Sequence, residues 1–107
     1  MIIVTTDFVP GKKIVKTLGV AKGNTIRARH IGHDLAALLR NLVGGEIRDY
    51  TKMMAESREQ AIDRMIEDAQ RMGANAVVNV RFATSMIMQM ASEILVYGTA
   101  VIVEEDY

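Results

Sequence analysis

A chain of 107 residues with 13 basic and 13 acidic side chains, and so no net charge, is sized for one domain and lacks the basic excess of a nucleic-acid binder. Half of the residues are hydrophobic, enough for a packed core and against disorder. The absence of cysteine excludes disulfides, thiolate zinc sites, iron–sulfur clusters and cysteine nucleophiles. Balanced charge leaves little repulsion between copies, which suits self-association. The opening MIIVTTDFVPGKK has neither a charged n-region nor a long apolar core. No run reaches the roughly 18 apolar residues of a membrane helix, so the expected setting is cytoplasmic, without a membrane partner.

In chain order, MIIV reads as a short strand, closed by the turn-prone DFVPG, where Pro10 and Gly11 interrupt regular structure. KKIVKTLGVAKG then alternates imperfectly, with Ile14, Leu18 and Val20 on one parity, and is read as a strand. HDLAALLRNLVGG predicts a short helix started by His33 or Asp34, with Leu35, Leu38, Leu39 and Leu42 at helical spacing and Gly44-Gly45 as the stop. A longer helix is expected from about Asp49 to Met72, with an apolar stripe of Tyr50, Met54, Ala61, Ile62, Met65, Ile66, Ala69 and Met72. Arg64–Asp68 and Glu67–Arg71 have the i,i+4 spacing of helical ion pairs.

The period then changes. NAVVNVRFATSM alternates Ala76, Val78, Val80 and Phe82 against Val77, Asn79, Arg81 and Ala83, and SEILVYGTAVIVEE sets Ile94, Val96, Ala100 and Ile102 against Leu95, Tyr97, Thr99, Val101 and Val103. Two such strands joined by a short polar and methionine link make a hairpin. The order β, β, short α, long α, β, β defines a single α+β domain over residues 1–107. Its last strand is apolar on both faces. With helices on one side only, Tyr97, Val101 and Val103 would face water in a single chain, and an exposed apolar sheet face marks an interface. Homo-oligomerisation through these residues is therefore expected.

Candidate chemistry is sparse. His30 and His33 are three apart with Asp34 adjacent, so this trio is the candidate ligand set for a transition metal. Gly32 between the histidines argues instead for a loop leading into a capped helix, where only copies from neighbouring subunits would supply enough ligands. Met86, Met88 and Met90 alternate, and a shared face of thioethers suits Cu(I), whereas flexible methionines at a hairpin end or oligomer contact need no metal. Arg27, Arg29, Arg40 and Arg48 gather around the first helix and could clamp an anion, or pair with acids of a neighbouring element or subunit. VGGE follows a helix and so reads as a cap, not a phosphate cradle. Ser57, Ser85 and Ser92 have no nucleophile-elbow context. Asp63, Glu67 and Asp68 read as a solvated helix face, and Arg81 and Glu93 as cross-strand partners. No catalytic constellation is visible, and no enzyme is expected.

The segments Arg40-Asn41-Leu42-Val43-Gly44-Gly45, Gly73-Ala74-Asn75-Ala76-Val77-Val78 and Tyr97-Gly98-Thr99-Ala100-Val101 together resemble the YbjQ family of bacterial and archaeal proteins, labelled heavy-metal-binding and otherwise of unknown function. The likeness covers nearly the whole chain. It implies a dodecin-like subunit, with a three-stranded antiparallel sheet of order 1-3-2, helices on one face and short accessory strands, MIIV among them. It further implies a ring-shaped homopentamer. Where the family often has Gly and Asp near positions 79 and 83, this chain has Asn79 and Ala83, which removes one acidic ligand candidate. Dodecins hold flavin between stacked aromatic residues, and a chain without tryptophan does not carry that cofactor over. The expected role is a homo-oligomeric binding or scaffold protein, with a transition metal as the ligand. The alternative is a ring whose inter-subunit pockets, lined by arginines and Tyr50 or Tyr97, hold a small molecule.

Overall fold

A computed structural model describes residues 1–28, 45–88 and 91–106. Strand β1 spans Ile2–Ile3, β2 Lys12–Ala28, helix α1 Gly45–Arg71, β3 Ala76–Met88 and β4 Ala91–Glu105. They form an α+β unit with one mixed sheet of order β1-β3-β4-β2. The expected three-stranded sheet is thus corrected in count: β2, β4 and β3 keep the expected 1-3-2 arrangement with the last strand in the middle, and β1 adds a fourth strand. The MIIV segment is not an accessory outside the sheet: it joins as an edge strand, parallel to β3, with Ile2 opposite Ala76 and Ile3 opposite Val77. The last strand, β4, lies between β3 and β2 and pairs antiparallel with both. The predicted short helix lies outside the described residues.

Strand β2 does not stop at Gly23, where the sequence suggests its end, but runs on to Ala28. The reason is the helix. A methyl group built on Gly23 would fall on the Ala61 carbonyl oxygen and the Met65 amide nitrogen, and lie 2.8 Å from the Arg64 carbonyl carbon. Backbone meets backbone there, so only glycine fits. On the helix side the contact is made by a stripe of small residues, with Ser57, Ala61 and Ala69 fully buried beside Met65. Ser57 is not part of the expected apolar stripe. Its hydroxyl is satisfied within the helix by donating to the Met53 carbonyl at 2.9 Å, and its own carbonyl accepts from the Thr25 hydroxyl at 3.2 Å. A small, internally bonded side chain can therefore be buried where an apolar one is expected.

The helix is terminated by a Schellman motif. Gly73 has φ +89°, its N–H donates to the Gln70 carbonyl at 3.0 Å, and the Ala74 N–H donates to the Ala69 carbonyl at 3.1 Å. Asn75 then acts as a substitute strand residue. Its side-chain amide donates to the Val103 carbonyl (2.9 Å) while its oxygen accepts the Val103 N–H (2.8 Å). The Asp49–Met72 helix predicted from periodicity begins four residues earlier, at Gly45.

The expected alternation of β3 breaks at Asn79. Register slips between Val78, opposite Thr99, and Arg81, opposite Tyr97, and Asn79 takes φ +55°, a value that asparagine tolerates better than most residues. The bulge moves Val80 to the helix side with Val77. Opposite the bulge, a methyl group on Gly98 would lie 2.6 Å from Val77 Cγ1 and 2.9 Å from the Val78 carbonyl oxygen, so β4 also needs glycine.

Two apolar layers result. Between sheet and helix lie Ala21, Ala61, Met65, Ala69, Val77, Val80, Ile94, Val96 and Ala100. On the far face Val9, Ala76, Val78, Val101 and Val103 pack together, with Ile2 and Val4 against them. The turn at Pro10-Gly11, closed by the Lys12 N–H on the Val9 carbonyl at 3.0 Å with Gly11 at φ +77°, folds the N-terminal segment back over β4. The expectation that Tyr97, Val101 and Val103 all face water in one chain is corrected accordingly. Val101 is 1% exposed and Val103 5%, covered by Val9, whereas Tyr97 keeps 39%.

Two substitutions test these contacts. Gly23→Ala should destabilise the chain by roughly 1–3 kcal/mol, the usual cost of overpacking, seen as a lower urea midpoint; an unchanged midpoint would show that the helix can lift from β2 without loss. Asn75→Asp removes the donor to Val103 and sets a carboxylate against a carbonyl, a change expected to cost about 1–3 kcal/mol, with unchanged dependence on denaturant concentration.

Candidate functional site

The residues that position chemistry are set by where α1 crosses the sheet. Beside Gly23, the Lys22 N–H donates to Asp68 Oδ2 at 3.0 Å and Arg64 Nη1 donates to the Asn24 carbonyl at 2.6 Å. Asp68 also accepts from Arg71 Nη2 at 3.3 Å. The helical pair predicted between Arg64 and Asp68 is not among the described ion pairs, because both side chains turn to the outward backbone groups of β2. A helix flank thereby caps part of a sheet edge.

On the sheet face away from the helix, Lys22 and Arg81 stand opposite Tyr97 from the two neighbouring strands. One aromatic ring is flanked in register by two cationic residues. Arg81 is tied back, donating to the Thr5 and Val80 carbonyls at 2.9 and 3.0 Å. Its expected partner Glu93 instead stands opposite Ser85 and accepts from Asn24 Nδ2 at 3.1 Å; the Asn79 bulge shifts the register that the sequence alternation assumes. An open recess of about 370 Å³ lies beside this row, lined by Lys22, Asn24, Asp68, Glu93 and Leu95. It mixes both signs of charge, and three of its side chains, Asn24, Asp68 and Glu93, are engaged in the hydrogen bonds just described.

A second feature lies at the other edge of the sheet. Ile3, Val4, Thr5, Ile62, Val80 and Phe82 line a groove of about 150 Å³ with an almost wholly apolar surface. Its walls come from the β1 end, the helix and β3 just past the bulge, so it exists only because Val80 has changed face. Phe82 remains 49% exposed at its rim. Among the described residues, the recess on the helix surface by Ala55, Glu56, Arg58, Glu59 and Gln60, about 440 Å³, draws on one element and gathers no convergent chemistry.

Of the residues singled out from sequence, His30, His33 and Asp34 lie outside the described residues, as do Arg29, Arg40 and Met90. Arg27 belongs to β2, and Arg48 and Tyr50 to α1. Among the described residues no group of three or more His, Asp or Glu side chains is placed to hold a metal ion. Met86 and Met88 end β3, but a register shift separates them, interrupting the alternation on which a shared thioether face depends. Ser57 is buried in the helix contact, a structural role. Neither the groove nor the capped edge was read from the sequence. The exposed Phe82 was the one signal for the groove, but its face was misassigned without the bulge. No helix among the described residues is long and apolar enough to cross a membrane.

Comparison with known proteins finds relatives that span nearly the whole chain. A UPF0145 protein of Methanosarcina acetivorans is 62% identical over 101 residues, covering 94% of this chain and 95% of the relative. A UPF0145 protein of Dehalococcoides mccartyi is 59% identical over 104 residues, 97% of this chain and 100% of the relative, and one from Pyrococcus horikoshii is 59% identical over 104 residues, 97% and 89%. A crystal structure of a protein of unknown function in the DUF74 family, from Pediococcus pentosaceus, shares the fold with a TM-score of 0.66 at 14% identity, covering 97% of this chain and 98% of that one. The family model described as "Putative heavy-metal-binding" matches residues 1–104. With that match and these relatives, the chain belongs to the YbjQ family, whose members are the functionally uncharacterised UPF0145 proteins.

Proposed function

We propose that this protein is a non-enzymatic binding or scaffold protein that works as a homo-oligomer, a ring of five dodecin-like subunits, and that a transition-metal site is completed only where copies meet. The observation that carries the proposal is the subunit's shape. Its radius of gyration is 17.7 Å and its extents are 60 × 23 × 16 Å, whereas a compact domain of this length has a radius of about 13 Å. A ribbon whose 17-residue strand β2 outreaches its single described helix cannot bury its own surface. Val20 is 63% exposed and Met86 78%; Ile14, Val15, Ile26, Phe82 and Tyr97 are exposed as well. Apolar side chains spread along both ends of a ribbon are covered when copies associate. The neutral overall charge opposes such contact weakly.

The family's description supports the metal part of the proposal, and His30 and His33 are the only imidazoles in the chain. Two histidines and Asp34 from one copy fall short of a closed four-ligand shell. Repetition around a symmetry axis supplies the remainder. A second reading, a ring that holds a small anionic molecule between copies, draws on the row Lys22, Tyr97 and Arg81, where two cationic residues flank the tyrosine in register.

Light scattering at micromolar concentration should report a mass of about five chains if the ring closes as proposed, and a monomer would overturn the proposal. In zinc or nickel titrations, wild type should bind with defined stoichiometry per ring and the double variant His30→Ala/His33→Ala should not; equal uptake by both would remove the histidine site. Native mass spectrometry of the purified oligomer should show no mass beyond protein and bound metal ions under the first reading, and a co-purified anion released by Tyr97→Ala under the second.

A further inference from the structure

We propose that the apolar groove at Ile3, Ile62, Val80 and Phe82, with the open edge of β3 that leads away from it, receives the β2 flank of a second copy around Ile14, Val15 and Val20. The inference rests on the self-association proposed above and names the surfaces that make it. Strand β1 is only two residues long, and the last backbone bonds from its side of the sheet to β3 are the Asn79 N–H on Thr6 and the Val80 N–H on Val4, at 2.9 and 3.0 Å. From Arg81 to Met86, among the described residues, β3 has β4 on one side and no strand on the other. An unpaired strand edge with an apolar groove at its head is a template for another chain.

The other edge of the same sheet is β2, and it differs in kind. The helix caps it only at Lys22 and Asn24. Towards its N-terminal end, register shifts fall between Ile14 and Lys16 and between Thr17 and Gly19. Ile14 and Val15, consecutive residues that a regular strand would send to opposite faces, are both exposed there. The groove's volume of about 150 Å³ takes an aliphatic side chain of that class, not a large ligand. Charge agrees in sign: Lys13 and Lys16 are exposed beside Ile14 and Val15. Of the exposed charges about one turn from Ile62 (Arg58, Glu59, Asp63 and Arg64), Arg64 is drawn to the Asn24 carbonyl at the opposite edge, leaving the remainder net negative. Because a different edge is used on each partner, the contact is head-to-tail, the kind that closes a ring instead of pairing two copies face to face.

The chain's lack of cysteine makes the test direct. Lys16→Cys and Thr84→Cys place thiols at exposed positions beside the two surfaces without removing the apolar contacts, and within one chain they sit on opposite edges of the sheet. A short bis-maleimide added to an equimolar mixture should give a covalent dimer on a denaturing gel, while either variant alone stays single. The double variant should give a ladder ending at the closed ring. Dimers from one variant alone, or no linkage in a mixture that light scattering shows to be assembled, would overturn this placement and leave self-association standing. Failure of wild type to assemble at all would overturn both. Independently, Phe82→Glu should lower the assembled mass to that of a monomer without loss of the circular-dichroism spectrum, and retention of the full mass would count against the groove.

Discussion

The meeting of α1 with β2 at Gly23 is the contact on which the remaining structure depends. A helix usually stands off a sheet by the length of its side chains. Here a glycine in the strand and a Ser57, Ala61 and Ala69 stripe on the helix remove that spacing. Direct backbone approach brings Arg64 and Asp68 within reach of the outward groups of β2. It also brings Ile62 to the groove at the other edge of the sheet. Relax the contact at Gly23 and both the capped edge and the groove lose a wall.

A second constraint operates at the bulge. Asn79 at positive φ and Gly98 opposite it form one device, which rotates β3 so that Val77 and Val80 share the helix-facing layer while Ala76 and Val78 face the N-terminal segment. The same rotation carries Arg81 into line with Tyr97 and away from Glu93. Family motifs that look like site signatures therefore have structural explanations here. Gly73 ends the helix, Asn75 stands in for strand backbone, and Gly98 clears the bulge.

The N-terminal segment settles how much of β4 is open to partners. Val9 closes over Val101 and Val103, so the apolar character of the last strand on both faces is largely satisfied within one chain, by a loop on one side and a helix on the other. What stays open lies at the ends and edges of a 60 Å ribbon. In the proposed assembly the contact surface is therefore a pair of unlike edges more than a broad face, and unlike edges suit cyclic over face-to-face association.

Much of the fold was legible in the sequence by itself. Helical spacing from Met54 to Ala69, the Gly73 stop, the Pro10-Gly11 turn and the parity of β4 all follow from local periodicity and turn chemistry, which depend on neighbours in the chain. The face of Val80, the partner of Arg81, the length of β2 through Gly23 and the burial of Ser57, Val101 and Val103 do not. Each depends on which element lies across from it: a bulge changes parity only when a partner strand fixes the register, and a glycine reads as a strand end until a helix backbone lies upon it. The candidate ligands His30, His33 and Asp34 were legible as residue types and spacing. Their chemistry depends on what else converges on them, which only tertiary and quaternary contact decides, because a metal shell is closed by residues distant in sequence or borne by another copy.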